Sequence, residues 1–129
     1  LPAAFDPSKI LFVGLRNWER GEIKARQHQY GIKHLTPEEV AADSDALRAW
    51  LKSCGASKVV VHFDMDVLDP AEIVSAVGTD PDGMKIEAVI RVINDIAAEK
   101  ELVGLTVAEP MPRTAIRLRD MLGRLPLLE

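Results

Sequence analysis

Lys58-Val59-Val60-Val61-His62-Phe63-Asp64-Met65-Asp66-Val67-Leu68-Asp69-Pro70 is the stretch on which the fold turns. Three successive valines open it, and no polar residue interrupts them before His62. A continuous β-branched run of this kind reads as a strand buried on both faces, as in a parallel sheet covered by helices. The run ends in acidic residues, and Met65 to Asp82 is then rich in Asp, Gly and Pro. This segment predicts a long loop serving a site.

The same pattern recurs on both sides. Upstream, Lys9 to Leu15 is a short apolar run, and Glu19 to Tyr30 is a polar, Pro-free segment that predicts a helix. Gly31 to His34 predicts a small strand. Thr36-Pro37-Glu38-Glu39 predicts a helix start, with Thr36 as N-cap, Pro37 at the first helical position and Glu39 closing a capping box. Val40, Leu47, Trp50 and Leu51 mark the inner face of that helix. It ends near Cys54 and Gly55. Downstream, Ile86 to Ala98 predicts a helix with Ile86, Val89, Ile90, Ile93 and Ile96 or Ala97 inside. Glu101 to Val107 predicts a strand and Thr114 to Leu122 a last helix. Alternating strands and helices predict an α/β fold, a parallel sheet with covering helices in three layers, α/β/α. Ligands in such sheets bind beyond the carboxyl ends of the strands, where the acidic motifs fall.

Bulk properties narrow the function. The 129 residues suit one domain, and 47% hydrophobic with 28% charged residues is a globular composition. The formal charge is −4 and no Lys/Arg block stands out, which argues against a nucleic-acid partner. No apolar run approaches the about 18 residues of a membrane span. The one cysteine, Cys54, forms no intrachain disulfide, so a cytoplasmic setting is expected. The chain opens on Leu1 without a leader pattern and reads as beginning mid-fold.

Three groups of residues carry possible chemistry. Asp64 and Asp66 share parity at a strand end. Two carboxylates there repel each other and lose hydration, and a divalent cation relieves both penalties, with hard oxygen donors suiting magnesium or manganese. Alternatively, they cap backbone groups in a turn completed by Asp69-Pro70. Glu109, in Val107-Ala108-Glu109-Pro110, is placed to receive a cationic group or to sit solvated in a loop. Glu19 and Glu22 follow the first apolar run and suit a helix start. His62 shares the parity of Asp64 and reads as a satisfied core histidine or as a support for the metal ligands. His28 and His34 read as surface or sheet-edge residues. Arg113, Arg117, Arg119 and Arg124 read as a solvated face or a subunit contact.

Together these motifs resemble the ureohydrolase family of arginases, agmatinases, formiminoglutamases and proclavaminate amidino hydrolases. Phe63-Asp64-Met65-Asp66-Val67-Leu68-Asp69-Pro70 is similar to the family's Ser-Phe-Asp-x-Asp-x-x-Asp-Pro motif. Phe12-Val13-Gly14-Leu15-Arg16, then Gly21-Glu22 and Tyr30-Gly31-Ile32-Lys33, resembles its substrate-contacting segment. Gly78-Thr79 and Leu105 to Pro112 resemble later site segments. The resemblance implies an arginase-like fold of which residues 1–129 are the C-terminal part. It implies a two-manganese site whose bridging hydroxide attacks a guanidino or amidino carbon, releasing urea or a related product. Asp64 would bridge both ions, Asp66 would complete the second, Glu109 would bind the guanidinium, and Glu19, Glu22 and Thr79 would lie around the far end of the substrate.

Departures from the family pattern qualify this expectation. The family's other metal ligands, a histidine and an Asp-Ala-His-x-Asp motif, and its proton-shuttling histidine precede everything present here. No residue of this chain is therefore assigned as catalytic. The chain alone is expected to be inactive and to need a missing N-terminal half or self-association. Glu19 replaces the usual aspartate, and Gly78-Thr79-Asp80-Pro81-Asp82-Gly83 is shorter than the family loop and lacks its paired glycines. Two other readings remain. Asp64-Met65-Asp66 also resembles the Asp-x-Asp of haloacid-dehalogenase-type magnesium phosphatases, although Leu68 stands where those have Thr or Val. The chain could also be a non-catalytic structural half that pairs with another polypeptide.

Overall fold

The computed structural model describes residues 5–16, 21–74, 80–110 and 115–128. A short 3-10 turn at Pro7–Lys9 leads into β1 (Leu11–Val13), which is followed by α1 (Gly21–Gln29), β2 (Lys33–Leu35) and α2 (Asp45–Ser53). Then come β3 (Lys58–Asp64), a 3-10 turn at Met65–Val67, α3 (Ile86–Glu99), β4 (Glu101–Ala108) and α4 (Ala115–Leu122). The expected order of strands and helices is present, and all strand pairing is parallel.

Two features differ from expectation. The described strands form two separate parallel pairs, β1 with β2 and β3 with β4, where one continuous sheet was predicted. The helix predicted to start at Thr36 begins instead at Asp45. The capping box does form, since Thr36 N–H donates to Glu39 (2.7 Å) and Glu39 N–H to the Thr36 hydroxyl (3.3 Å). It closes only a turn, because Arg91 from α3 takes the carbonyls of Val40, Ala41 and Asp43. Those carbonyls are the acceptors that a continuing helix would use. Asp43 then receives the Asp45 N–H (3.0 Å) and α2 starts there.

α3 organises the interior. Ala88, Val89, Ile90, Val92, Ile93 and Ile96 are all buried, a wider stripe than one packed face requires. Leu47 and Leu51 of α2, Phe63 of β3, Met65, Leu68, Met84 and Leu125 join them in one cluster, with Leu11, Val13 and Leu35 from the first strand pair against its margin. Among the described residues, nothing covers the opposite side of β3 and β4. Val60 is 64% exposed and Val103 48%, and His62 and Thr106 are exposed beside them. In β4 the register slips by one residue, so that Val59 pairs with Leu102 but Val60 with Gly104. Beyond that bulge the two strands stay in step to Asp64 and Ala108, and their carboxyl ends finish together.

Candidate metal centre

Asp64 closes β3, and the chain turns at once through Met65–Val67. Met65, 1% exposed, drives into the core. The residues on either side of it, Asp64 and Asp66, are therefore held half-buried at the lip of the sheet. The expected common side thus comes from a 3-10 turn pinned by a buried methionine, rather than from strand alternation alone. Asp64 Oδ1 accepts the Asp66 N–H (3.1 Å), so the capping role is also present, and Asp69 caps Ala71 in the same way (2.8 Å). The loop is tied back by Met84, whose N–H donates to Val67 O (2.8 Å) and whose carbonyl accepts from Asp69 N–H (2.9 Å).

Glu109 follows β4 directly with φ +56°, a left-handed conformation costly for a side chain other than glycine. Its carboxylate reaches the other two: one oxygen each from Asp64, Asp66 and Glu109 lie within 4.8 Å of one another. Among the described residues these three are the group able to hold a metal ion. At this separation a divalent cation could be shared by all three carboxylates. An all-carboxylate donor set suits a hard cation such as magnesium or manganese, and the arrangement fits one.

The other expected residues are placed differently. Glu22 lies exposed in the first turn of α1, outside the carboxylate group. Glu19 and Thr79 fall outside the described residues, as do Arg113 and the side chain of Arg117. His62 is not a core histidine: it is exposed, and its Nδ1 lies 2.7 Å from the Thr106 hydroxyl across the β3–β4 pair. Strand parity put it beside Asp64 correctly, but this face of the sheet has no cover within the described residues. His28 and His34 are exposed as expected, with His34 Nδ1 2.9 Å from Gln27. Arg124 pairs with Glu87 and Arg119 with Asp120, so these arginines are an exposed, ion-paired surface.

The model of the Arginase family matches residues 2–121 of the sequence. The chain belongs to the arginase family. This membership favours the ureohydrolase resemblance over the phosphatase one. The N(1)-aminopropylagmatine ureohydrolase of Thermus thermophilus is 26% identical over 104 residues, covering 80% of this chain but 34% of that protein. Among solved structures, Helicobacter pylori arginase superimposes with TM-score 0.81 at 13% identity, over 92% of this chain and 43% of that one. Entamoeba histolytica arginase in complex with L-ornithine gives 0.73 at 23% identity, over 87% and 39%. Bacillus subtilis formimidoylglutamase gives 0.76 at 16%, over 84% and 36%. At these identities the likeness to solved structures shows an arginase-like fold. This arginase-family chain spans about a third of the length of the Thermus relative and less than half of each of these structures.

Proposed function

We propose that these residues are the C-terminal part of a manganese-dependent ureohydrolase that cleaves a guanidino or amidino C–N bond and releases urea or a related product. The observation that carries this reading is the convergence of Asp64, Asp66 and Glu109 within 4.8 Å at the carboxyl ends of two paired parallel strands, in a chain of the arginase family. Asp64 and Asp66 would hold the metal. Manganese, when bound, supplies Lewis acidity and lowers the pKa of water at the site. Glu109 sets its carboxylate against the cationic guanidinium, offsetting its charge and turning its carbon toward Asp64 and Asp66. Glu19, Glu22 and Thr79 are the residues we assign to the far end of the substrate. The remaining metal ligands and the proton-shuttling group belong to parts of the family fold that this chain does not contain. A cytoplasmic setting accords with the lone thiol of Cys54.

The test is a manganese titration of the purified chain, followed by electron paramagnetic resonance of the free ion. Two aspartates are too few for a closed two-metal site, so binding should be weak, and Asp64→Ala should reduce it to background. The chain alone should release no urea from agmatine or arginine. Tight uptake of two manganese ions per chain would sink the partial-site reading, and unchanged binding in Asp64→Ala would sink the assignment of the ligand.

A further inference from the structure

Arg16 stands three residues beyond β1 and reaches across to the two loops that frame the carboxylates. Its Nε donates to Pro81 O (3.0 Å), Nη1 to Asp66 O (3.0 Å), and Nη2 to both Leu68 O (3.2 Å) and Asp80 O (3.0 Å). All four acceptors are main-chain carbonyls. A guanidinium that binds a carboxylate pairs charge with charge. One that spans four carbonyls fixes the path of the backbone, which its rigid planar fork of donors does well.

The loops are pressed together under that fork. A Cβ on Gly83 would lie 2.5 Å from Arg16 Nη2 and 2.6 Å from both Asp69 N and Leu68 C, so no side chain fits there. Gly14 (φ +84°) allows the equally close approach of β1's end to Val67 and Met84. Asp66 is the residue most affected. Its carbonyl is held by Arg16 and its N–H by Asp64 Oδ1, so its backbone is anchored on both sides and its carboxylate is directed toward Asp64 and Glu109.

We propose that Arg16 is a positioning residue for the metal carboxylates: it touches no cation, but it holds Asp66 in the group through the backbone of residues 66–68 and 80–81. This rests on the reading of Asp64 and Asp66, with Glu109 beside them, as a metal site. The fork matters rather than the charge, because a lysine keeps the charge on a single nitrogen that cannot span carbonyls of two loops.

The experiment uses the full 15N-labelled chain with Arg16→Lys and Arg16→Ala, and it has two arms. Amide hydrogen exchange should accelerate about tenfold at Asp66, Asp69 and Met84 in both variants, the scale of one lost hydrogen bond, with the α3 amides unchanged. Paramagnetic broadening by manganese alone, followed at Asp64 and Ala108, should require about tenfold more metal in both. Unchanged loop exchange overturns the proposal, as does faster exchange with unaltered metal affinity, or full recovery of affinity in Arg16→Lys. Exchange that rises throughout α3 as well would make Arg16 a general stability residue and overturns it too. An absence of broadening in the unsubstituted chain strikes instead at the metal reading, and the exchange arm still reports whether Arg16 holds the loop.

Discussion

Glu109 is pulled in two directions. Its backbone sits where glycine or asparagine is at ease, while its side chain adds a third negative charge to a crowded strand end. Glu109→Gly should therefore raise stability by up to about 1 kcal/mol in metal-free buffer, through relief of strain and of repulsion. The same change should leave manganese binding at Asp64 and Asp66 within a few-fold, because Glu109 is assigned to the substrate and not to the metal. A denaturant midpoint that fails to rise would show that neither penalty is present. Asp64 and Asp66 were legible because they sit within one local motif. The approach of Glu109 to them came only from the family resemblance and not from spacing, since it depends on the register of two strands far apart in sequence. Arg16 stood out only as part of a family-like segment, and its hold on the loop left no mark, because its acceptors are carbonyls that every residue possesses.

At the scale of elements, apolar periodicity located the strands and helices well, because burial of one face is what selects them. α2 shows where this reasoning fails. The Thr36–Glu39 box is present and correctly paired, but a distant arginine occupies the carbonyls and displaces the helix start to Asp45. The Glu87–Arg124 pair offers a pH test of element packing. Two parallel contacts of 2.7 and 2.6 Å tie α3 to the turn after α4, and the guanidinium's hydrogen bonds hold the Glu87 carboxyl below its ordinary range. A depressed carboxylate contributes its stabilisation at neutral pH and loses it as pH falls through the lowered value. Protection of the Arg124 and Leu125 amides should thus stay flat down to the ordinary carboxylate range and decline below it. In Glu87→Gln that acid-side decline should disappear, and its persistence would assign the transition to another group.

For the whole molecule, the main fact is that the described residues cover the β3–β4 pair on one side. α3, with α2 packed against it, closes one face of the β3–β4 pair, while Val60 and Val103 stand exposed on the other. Two-stranded pairs are marginal on their own, and parallel strands with both faces apolar expect cover on both. A net charge of −4 provides only weak repulsion between copies. The isolated chain should accordingly self-associate, or require the rest of the family fold, at concentrations of roughly tens of micromolar. Sedimentation velocity measures this directly, and a stable folded monomer in that range would show the chain to be self-sufficient. The apolar run at 59–61 made a two-sided burial legible. Which element supplies the second cover could not be read, because alternation along one strand marks a face as apolar and does not name what packs on it.

The slip at Gly104 bears on how this chain tolerates changes of length. Val103 is the surplus residue of the bulge, and its side chain is largely exposed. Deleting it would let the ladder run on without a skip and leave every later pair, Val60 with Gly104 through Asp64 with Ala108, as it stands. A deletion at Leu105 or Thr106 is a different event, since closing the bulge then moves every residue from Val103 to the deletion by one rung and puts Gly104 on the inner face in place of Leu105. In a library of single-codon deletions through 101–108, deletion of Val103 should be tolerated, with the unfolding midpoint nearly unchanged and manganese-induced broadening retained, whereas deletion of Leu105 or Thr106 should lower the midpoint by emptying the inner-face place of Leu105.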